Sequence, residues 1–181
     1  MNKAYTFRTS LPRDLNDILK VEQTCFEPDF CESPTVFTER LKVFPEGFII
    51  MEFEGNVMGF FCSEIWNYKE NLSSKDFSLG HSIAKVHQEA GTELYISSWG
   101  IAPDFRGEGL GRELFDKSLE IITKSYPNLK STILVVSEAW DKALNIYQHQ
   151  GFSHVMLLEE FFAYDSIERL NENGIVMRKK I

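Results

Sequence analysis

Ala102 to Leu114 read APDFRGEGLGREL, and what this stretch joins decides the fold. Before it lies ELYISSWGI, a run of β-prone residues. After it Leu110, Leu114, Phe115, Leu119 and Ile122 return at helical spacing until Tyr126, Pro127 and Asn128 stop the helix. Glycine costs about 1 kcal/mol inside a helix, so Gly107, Gly109 and Gly111 serve the backbone of the junction. A strand entering such a turn presents unpaired N–H groups at the positive end of the helix dipole, a site suited to a pyrophosphate. Arg106 and Arg112 add charge. A corner that binds nothing is the competing reading. Two other nucleotide loops fit poorly. The Walker pattern asks for Lys and then Ser or Thr after its last glycine, where the chain has Arg112 and Glu113, and the dinucleotide fingerprint GxGxxG differs from RGxGxG.

Working outward, AYTFRT reads as a first strand, and Ser10 with Pro12 opens a helix carrying Leu15, Ile18, Leu19 and Cys25. Ser33 and Pro34 repeat the cap chemistry before Val36, Phe37, Leu41 and Phe44. GFIIMEF and VMGFFCSEIW, joined by Glu54, Gly55 and Asn56, read as a hairpin. From 67 to 91 the chain turns polar, a long loop or insertion of the kind that forms lids, or else a mobile surface loop, with one helical turn around Ile83 to His87. STILVVS is a further strand, Glu138 to Gln150 a helix ended by Gly151, and FSHVMLLEEFFAY and GIVMRKKI two last strands linked by DSIERLNEN. The alternation predicts an α/β fold with one mixed sheet, in a single domain over 1–181.

Composition narrows the function. A formal charge of -8 argues against nucleic acid as a partner and favours cationic small molecules. Cys25, Cys31 and Cys62 have no paired spacing, so neither a disulfide framework nor a metal site is expected. The N-terminal residues lack signal-peptide character and no run approaches the ~18 apolar residues of a membrane span; a soluble, cytoplasmic protein without a membrane partner is expected.

The segment WGIAPDFRGEGLGREL resembles the acetyl-coenzyme A binding motif of the GNAT superfamily of N-acetyltransferases: Arg or Gln, two residues, Gly, one residue, then Gly or Ala. Arg106, Gly109 and Gly111 match it. Further on, AWDKALNIYQHQGF resembles the family's second cofactor segment, with Ala143, then Tyr147, then Gly151 and Phe152. The resemblance covers essentially the whole chain. It implies a GNAT-like domain with a central mixed, mostly antiparallel twisted sheet flanked by helices, and acetyl-CoA as cosubstrate without a metal.

The resemblance also implies roles. Trp99 and Ile101 are expected to offer backbone contacts where two strands part, with the Trp99 amide nearest the reacting carbonyl. The residues Arg106, Gly107, Glu108, Gly109, Leu110, Gly111 and Arg112 form the cofactor loop, and Trp140, Ala143 and Tyr147 complete the cofactor contacts. Lys142 joins the arginines in a positive patch. At position 140 the family often has Asn, where this chain has Trp. Tyr147 falls where many members protonate the coenzyme A thiolate, although Trp140, Ala143, Leu144 and Tyr147 also follow the spacing of a buried stripe.

The base that takes the amine's proton has several candidates: Glu93, Glu64, His81 and His87, with bound water as an alternative. Glu93 shares the parity of Trp99 but lies ~20 Å along an ideal strand, with Tyr95 and Ser97 nearer on that face. The aromatics Phe30, Phe37, Trp66, Tyr68, Phe161, Phe162 and Tyr164 are expected in the core or along a wall for the amine acceptor. That acceptor is expected to be a small-molecule amine; a protein N-terminus or lysine, or a non-catalytic acetyl-CoA sensor, are the alternatives, and a homodimer is a further possibility.

Overall fold

The computed structural model describes residues 5–165 and 170–181; Ala4, the first residue of the AYTFRT run, and residues 166–169 of the DSIERLNEN connection lie outside them. The strands are β1 (Thr6–Thr9), β2 (Phe48–Phe53), β3 (Asn56–Trp66), β4 (Glu93–Ile101), β5 (Ser131–Ser137), β6 (Ser153–Phe162) and β7 (Glu172–Lys180). The α-helices are α1 (Leu15–Cys25), α2 (Pro34–Val43), the short α3 (Ile83–Val86), α4 (Leu110–Ser125) and α5 (Asp141–His149). The seven strands form one sheet in the order β1-β2-β3-β4-β5-β7-β6, antiparallel at every pairing except β4 with β5.

The apolar run of β2 is explained by burial on both faces. Ile49 and Met51 join Phe61, Leu94, Leu114 and Phe115 beneath α4, whereas Phe48 and Ile50 join Phe60, Ile18, Val21 and Phe37 beneath α1 and α2. A strand covered by helices on each side needs no polar alternation. Fully burying one Leu, Ile or Phe side chain contributes about 1.5–3 kcal/mol, and Phe37, Phe60, Phe61 and Phe115 all reach 0% exposure.

Local chemistry sets the ends of the elements. Ser33 accepts a hydrogen bond from the Val36 N–H at 3.3 Å and caps α2, with Pro34 in its first turn. The helix expected from Glu138 starts only at Asp141, because the Ser137 hydroxyl and carbonyl take the N–H groups of Ala139 and Trp140 in a turn. The 67–91 insertion is tied down rather than loose: Lys69 pairs with Asp76, and Arg178 of β7 donates to the Lys69 carbonyl at 2.9 Å and covers the Tyr68 ring. No helix among the described residues is long and apolar enough to cross a membrane.

One irregularity in β4 matters most for the site. Cys62 pairs with Ser98 and Ser63 with Ile96, so Ser97 is an extra residue, a β-bulge whose hydroxyl donates to the Cys62 carbonyl at 3.2 Å. The bulge reverses side-chain parity. Trp99 and Ile101 share the α4 face with Leu94 and Ile96, and Glu93 and Tyr95 lie on the other face, against the expected common parity of Glu93, Tyr95 and Trp99.

Candidate active site

The parallel ladder between β4 and β5 runs only from Glu93 to Ile96 and from Ser131 to Leu134. Beyond it the two strands part. The Ala102 N–H donates to the Met58 carbonyl at 2.8 Å across the β3 side. Because bonding alternates along an antiparallel ladder, Ser98 and Gly100 also turn toward β3, and the backbone groups of Trp99 and Ile101 point into the gap. A cleft of about 860 Å³ opens there, lined among others by Glu22, Trp99, Gly109, Trp140, Tyr147 and Phe162.

At one end of the cleft stands the glycine turn. Gly107 and Gly109 adopt φ of 90° and 79°, a region other residues enter only with strain, and a β-carbon on either would project into open space. Gly109 is the N-cap of α4 and provides no side-chain cap, so the first-turn N–H groups face outward beside the cleft. Leu110 is buried in the core, while Glu108 is exposed and not part of the cleft lining. Arg112 is exposed beside Asp116 at 3.4 Å. Arg106 lines the cleft, yet its guanidinium donates to the Ile101 and Thr24 carbonyls at 2.9 Å each. It therefore fastens the turn to the C-terminal end of α1.

At the centre the Trp99 indole N–H donates to the Tyr147 hydroxyl oxygen at 2.7 Å. Tyr147 sits on the buried stripe of α5 against Phe115 and Phe152 and also lines the cleft. Burial pushes the Tyr147 pKa up to about 12, against the opposing effect of the indole hydrogen bond. Trp140 and Ala143 line the same wall, and Trp140 packs against Phe26 and Phe162 with ring centroids at 5.7 and 5.1 Å.

On the α1 side stands Glu22, which sequence reasoning missed. It is 1% exposed and lines the cleft. Its carboxylate accepts from the Ser98 hydroxyl at 3.0 Å and the Glu32 N–H at 3.1 Å, and burial raises its pKa to about 7. The available signal was its position: Ile18, Glu22 and Cys25 recur at the spacing of the apolar stripe, where a carboxylate is out of place.

The named base candidates lie elsewhere. Glu93 is buried in an ion pair with Arg178 at 2.7 Å and accepts from Ser131 at 2.7 Å, on the face opposite Trp99. His87 packs on Phe44 and its Nδ1 accepts the Ile65 N–H at 3.2 Å, outside the cleft lining. Glu64 is buried behind the cleft, accepting from the Trp66 indole at 2.7 Å and bonded to His81 Nε2 at 2.5 Å. Of the expected aromatic wall, Phe30, Phe161 and Phe162 line the cleft, and Tyr164 packs on Phe30 at 4.8 Å. Phe37 is core, Trp66 stacks on Tyr95 at 4.1 Å, and Tyr68 sits under Arg178.

The His81–Glu64 pair has a consequence for stability. Burial opposes charge on the imidazole, but the hydrogen bond and charge of Glu64 outweigh it and raise the pKa. A pKa raised on folding stabilises fully below the unfolded value of about 6.5, and that contribution is lost as pH rises through the folded value. The melting temperature of the wild type should therefore decline as pH rises above about 6.5, and His81→Gln should lack that part of the decline. Parallel curves for the two proteins would show that the pair contributes nothing.

An open sheet parting at β4 and β5, with a glycine turn on one side of the gap and a tyrosine-bearing helix on the other, defines a coenzyme A-binding acyltransferase architecture. The family model described as "Acetyltransferase (GNAT) family" matches residues 14–152. The chain belongs to this family and is a GNAT-type N-acetyltransferase. It is 25% identical over 162 residues, 89% of this chain and 87% of the relative, to an N-alpha-acetyltransferase of Sulfurisphaera tokodaii. Among solved structures it resembles Ard1 from Thermoplasma volcanium, at a TM-score of 0.74 and 21% identity over 98% of both chains. It also resembles the GNAT-like decarboxylase GphF in complex with isobutyryl-CoA, at a TM-score of 0.76 and 16% identity over 97% of this chain and 98% of that one.

Proposed function

We propose that this enzyme moves an acetyl group from acetyl-CoA to a primary amine by direct attack on the thioester, and that the acceptor is a small cationic amine. The observation that carries the reading is the Trp99–Tyr147 pair at the gap between β4 and β5. The indole occupies one lone pair of the phenol oxygen, which leaves the O–H proton for the cleft. The raised pKa keeps that proton in place at neutral pH, as a general acid for a departing thiolate requires. The backbone N–H of Trp99 is the donor for the oxyanion, because a preplaced donor in a water-poor cleft is among the largest catalytic contributions.

The remaining contacts follow from the cleft. Gly107, Gly109 and the uncapped start of α4 receive the pyrophosphate, with Arg112 and Lys142 supplying charge at the rim. Trp140, Ala143 and Ile146 flank the pantetheine arm. A small acceptor is supported by the residues that narrow the cleft. Leu79 of the 67–91 insertion reaches the lining, and Phe30 packs on both Phe162 and Tyr164, with ring centroids at 5.3 and 4.8 Å. Glu22, which lines the cleft and is held by neutral donors, is in keeping with an ammonium. A second reading, acetylation of a polypeptide α-amine, is favoured by the name of the Sulfurisphaera tokodaii relative.

Calorimetry with acetyl-CoA and coenzyme A, followed by thiol release against 2-phenylethylamine, cadaverine and the peptide Ala-Ala-Ala, tests the reading. Micromolar binding and faster thiol release with a small amine are expected. Faster release with the peptide moves the acceptor to the second reading. A folded sample that binds neither form of the cofactor overturns both.

A further inference from the structure

The transfer requires a neutral amine, and three carboxylates line the cleft among the described residues: Glu22, Glu32 and Asp141. Asp141 is exposed in the first turn of α5, and Glu32 is ion-paired with the buried Arg40 at 2.9 Å. Glu22 alone is both buried and held by neutral donors. Its clamp is specific. Ser98 is the neighbour of Trp99 on β4, and because adjacent residues face opposite sides, Ser98 reaches α1 while Trp99 reaches Tyr147. The carboxylate and the phenol thus approach the gap between β4 and β5 from opposite faces of the sheet, an arrangement that separates a proton acceptor from a proton donor.

Resting on the amine-acetylation reading, we propose that Glu22 receives the proton of the acceptor ammonium, with Ser98 and the Glu32 backbone N–H as its positioning groups. The protons balance as follows. The ammonium gives one proton to the Glu22 carboxylate, which later releases it to solvent. The amine nitrogen then attacks the thioester carbon, a C–N bond forms and the C–S bond breaks. The thiolate takes the Tyr147 proton, and Tyr147 recovers it from the nitrogen that becomes the amide. The products are the N-acetyl amine, coenzyme A and one released proton.

The surroundings tune the carboxylate for this work. The charged and titratable groups facing it are Glu32 in the turn after α1, Arg40 of α2, and Cys25 and Cys31 at the end of α1 and beyond it. Burial raises the pKa first and most, Glu32 adds to it, and the Glu32 N–H, Ser98 and Arg40 lower it, leaving the group near 7. An ordinary carboxylate, at about 4.3, would be a much weaker acceptor for an ammonium; a value near 7 narrows the gap by between two and three powers of ten, on the order of the pKa difference.

Two measurements test the assignment. In thiol release with the fastest amine among 2-phenylethylamine, cadaverine and Ala-Ala-Ala, Glu22→Gln should lose roughly 100-fold or more in kcat while its acetyl-CoA Kd stays within about twofold. Glu22→Asp should recover part of the loss. The wild-type kcat/KM should fall with a limb as pH drops through about 7. Ser98→Ala removes a bond that lowers the pKa, so its limb should move to higher pH. Independently of turnover, the Glu22 carboxyl followed by 13C NMR, its signal identified by its loss in Glu22→Gln, should titrate near neutrality. Turnover of Glu22→Gln within about threefold of wild type, a parallel loss of acetyl-CoA affinity, or titration in the ordinary carboxylate range would each overturn the assignment of Glu22. A wild type that binds acetyl-CoA yet releases thiol with none of these amines overturns the acetylation reading itself, and this assignment with it.

Discussion

Tyr147→Phe should lower kcat for acetyl transfer by roughly 100- to 1000-fold while leaving the Kd for acetyl-CoA within about twofold. The expectation follows from what the substitution keeps. The ring stays packed against Phe115 and Phe152, and the wall formed by Trp140 and Ala143 is not disturbed. What disappears is the phenol proton and the acceptor of the Trp99 indole N–H. Losing the partner of this half-buried donor beside the cleft costs about 1 kcal/mol, so the melting temperature should fall by a few degrees at most, a change too small to explain the kinetic loss under assay conditions. Unchanged turnover in a well-folded Tyr147→Phe protein would leave Tyr147 as a packing residue alone.

The second large effect is on stability. Glu93→Gln should cost about 3–5 kcal/mol, because Arg178, which is nearly buried itself, would be left beside a neutral group. For a chain of this size that corresponds to a fall in melting temperature of about 10 °C. Acetyl transfer per folded molecule, measured well below the transition, should remain within about twofold of wild type. Glu93 lies at the far end of β4 from Trp99, on the opposite face, and its oxygens are committed to Arg178 and Ser131. A Glu93→Gln protein that melts like the wild type but has lost most of its turnover would return Glu93 to the chemistry.

Most of the fold could be read from the sequence because its signals are local. ELYISSWGI and STILVVS coincide with β4 and β5, and the apolar spacing after the glycine turn coincides with α4. The helix drawn from Glu138 was too long, since a turn closed by the Ser137 side chain has no periodicity to announce it. The site was harder to read. Parity arguments assume an unbroken pleat, and one unpaired residue, Ser97, turns Glu93 and Tyr95 away from Trp99. Glu22 escaped notice for a different reason: a single acid within an apolar stripe looks like noise until tertiary packing brings Ser98 and the Glu32 N–H to it. Glu64, near the end of β3, and His81, within the insertion, meet only in three dimensions.

The bulge at Ser97 also has a mechanical consequence. It divides β4 into two segments with separate neighbours: Glu93 to Ile96 meet β5 and β7, whereas Ser98 to Ile101 meet α1, the cleft and the glycine turn. Exchanges at the stacked pair Tyr95 and Trp66 should therefore leave undisturbed the register that aims Trp99 at Tyr147. Deleting Ser97 would fuse the segments into one regular strand and turn the downstream half over. The extra serine is what lets a single strand serve two sets of neighbours.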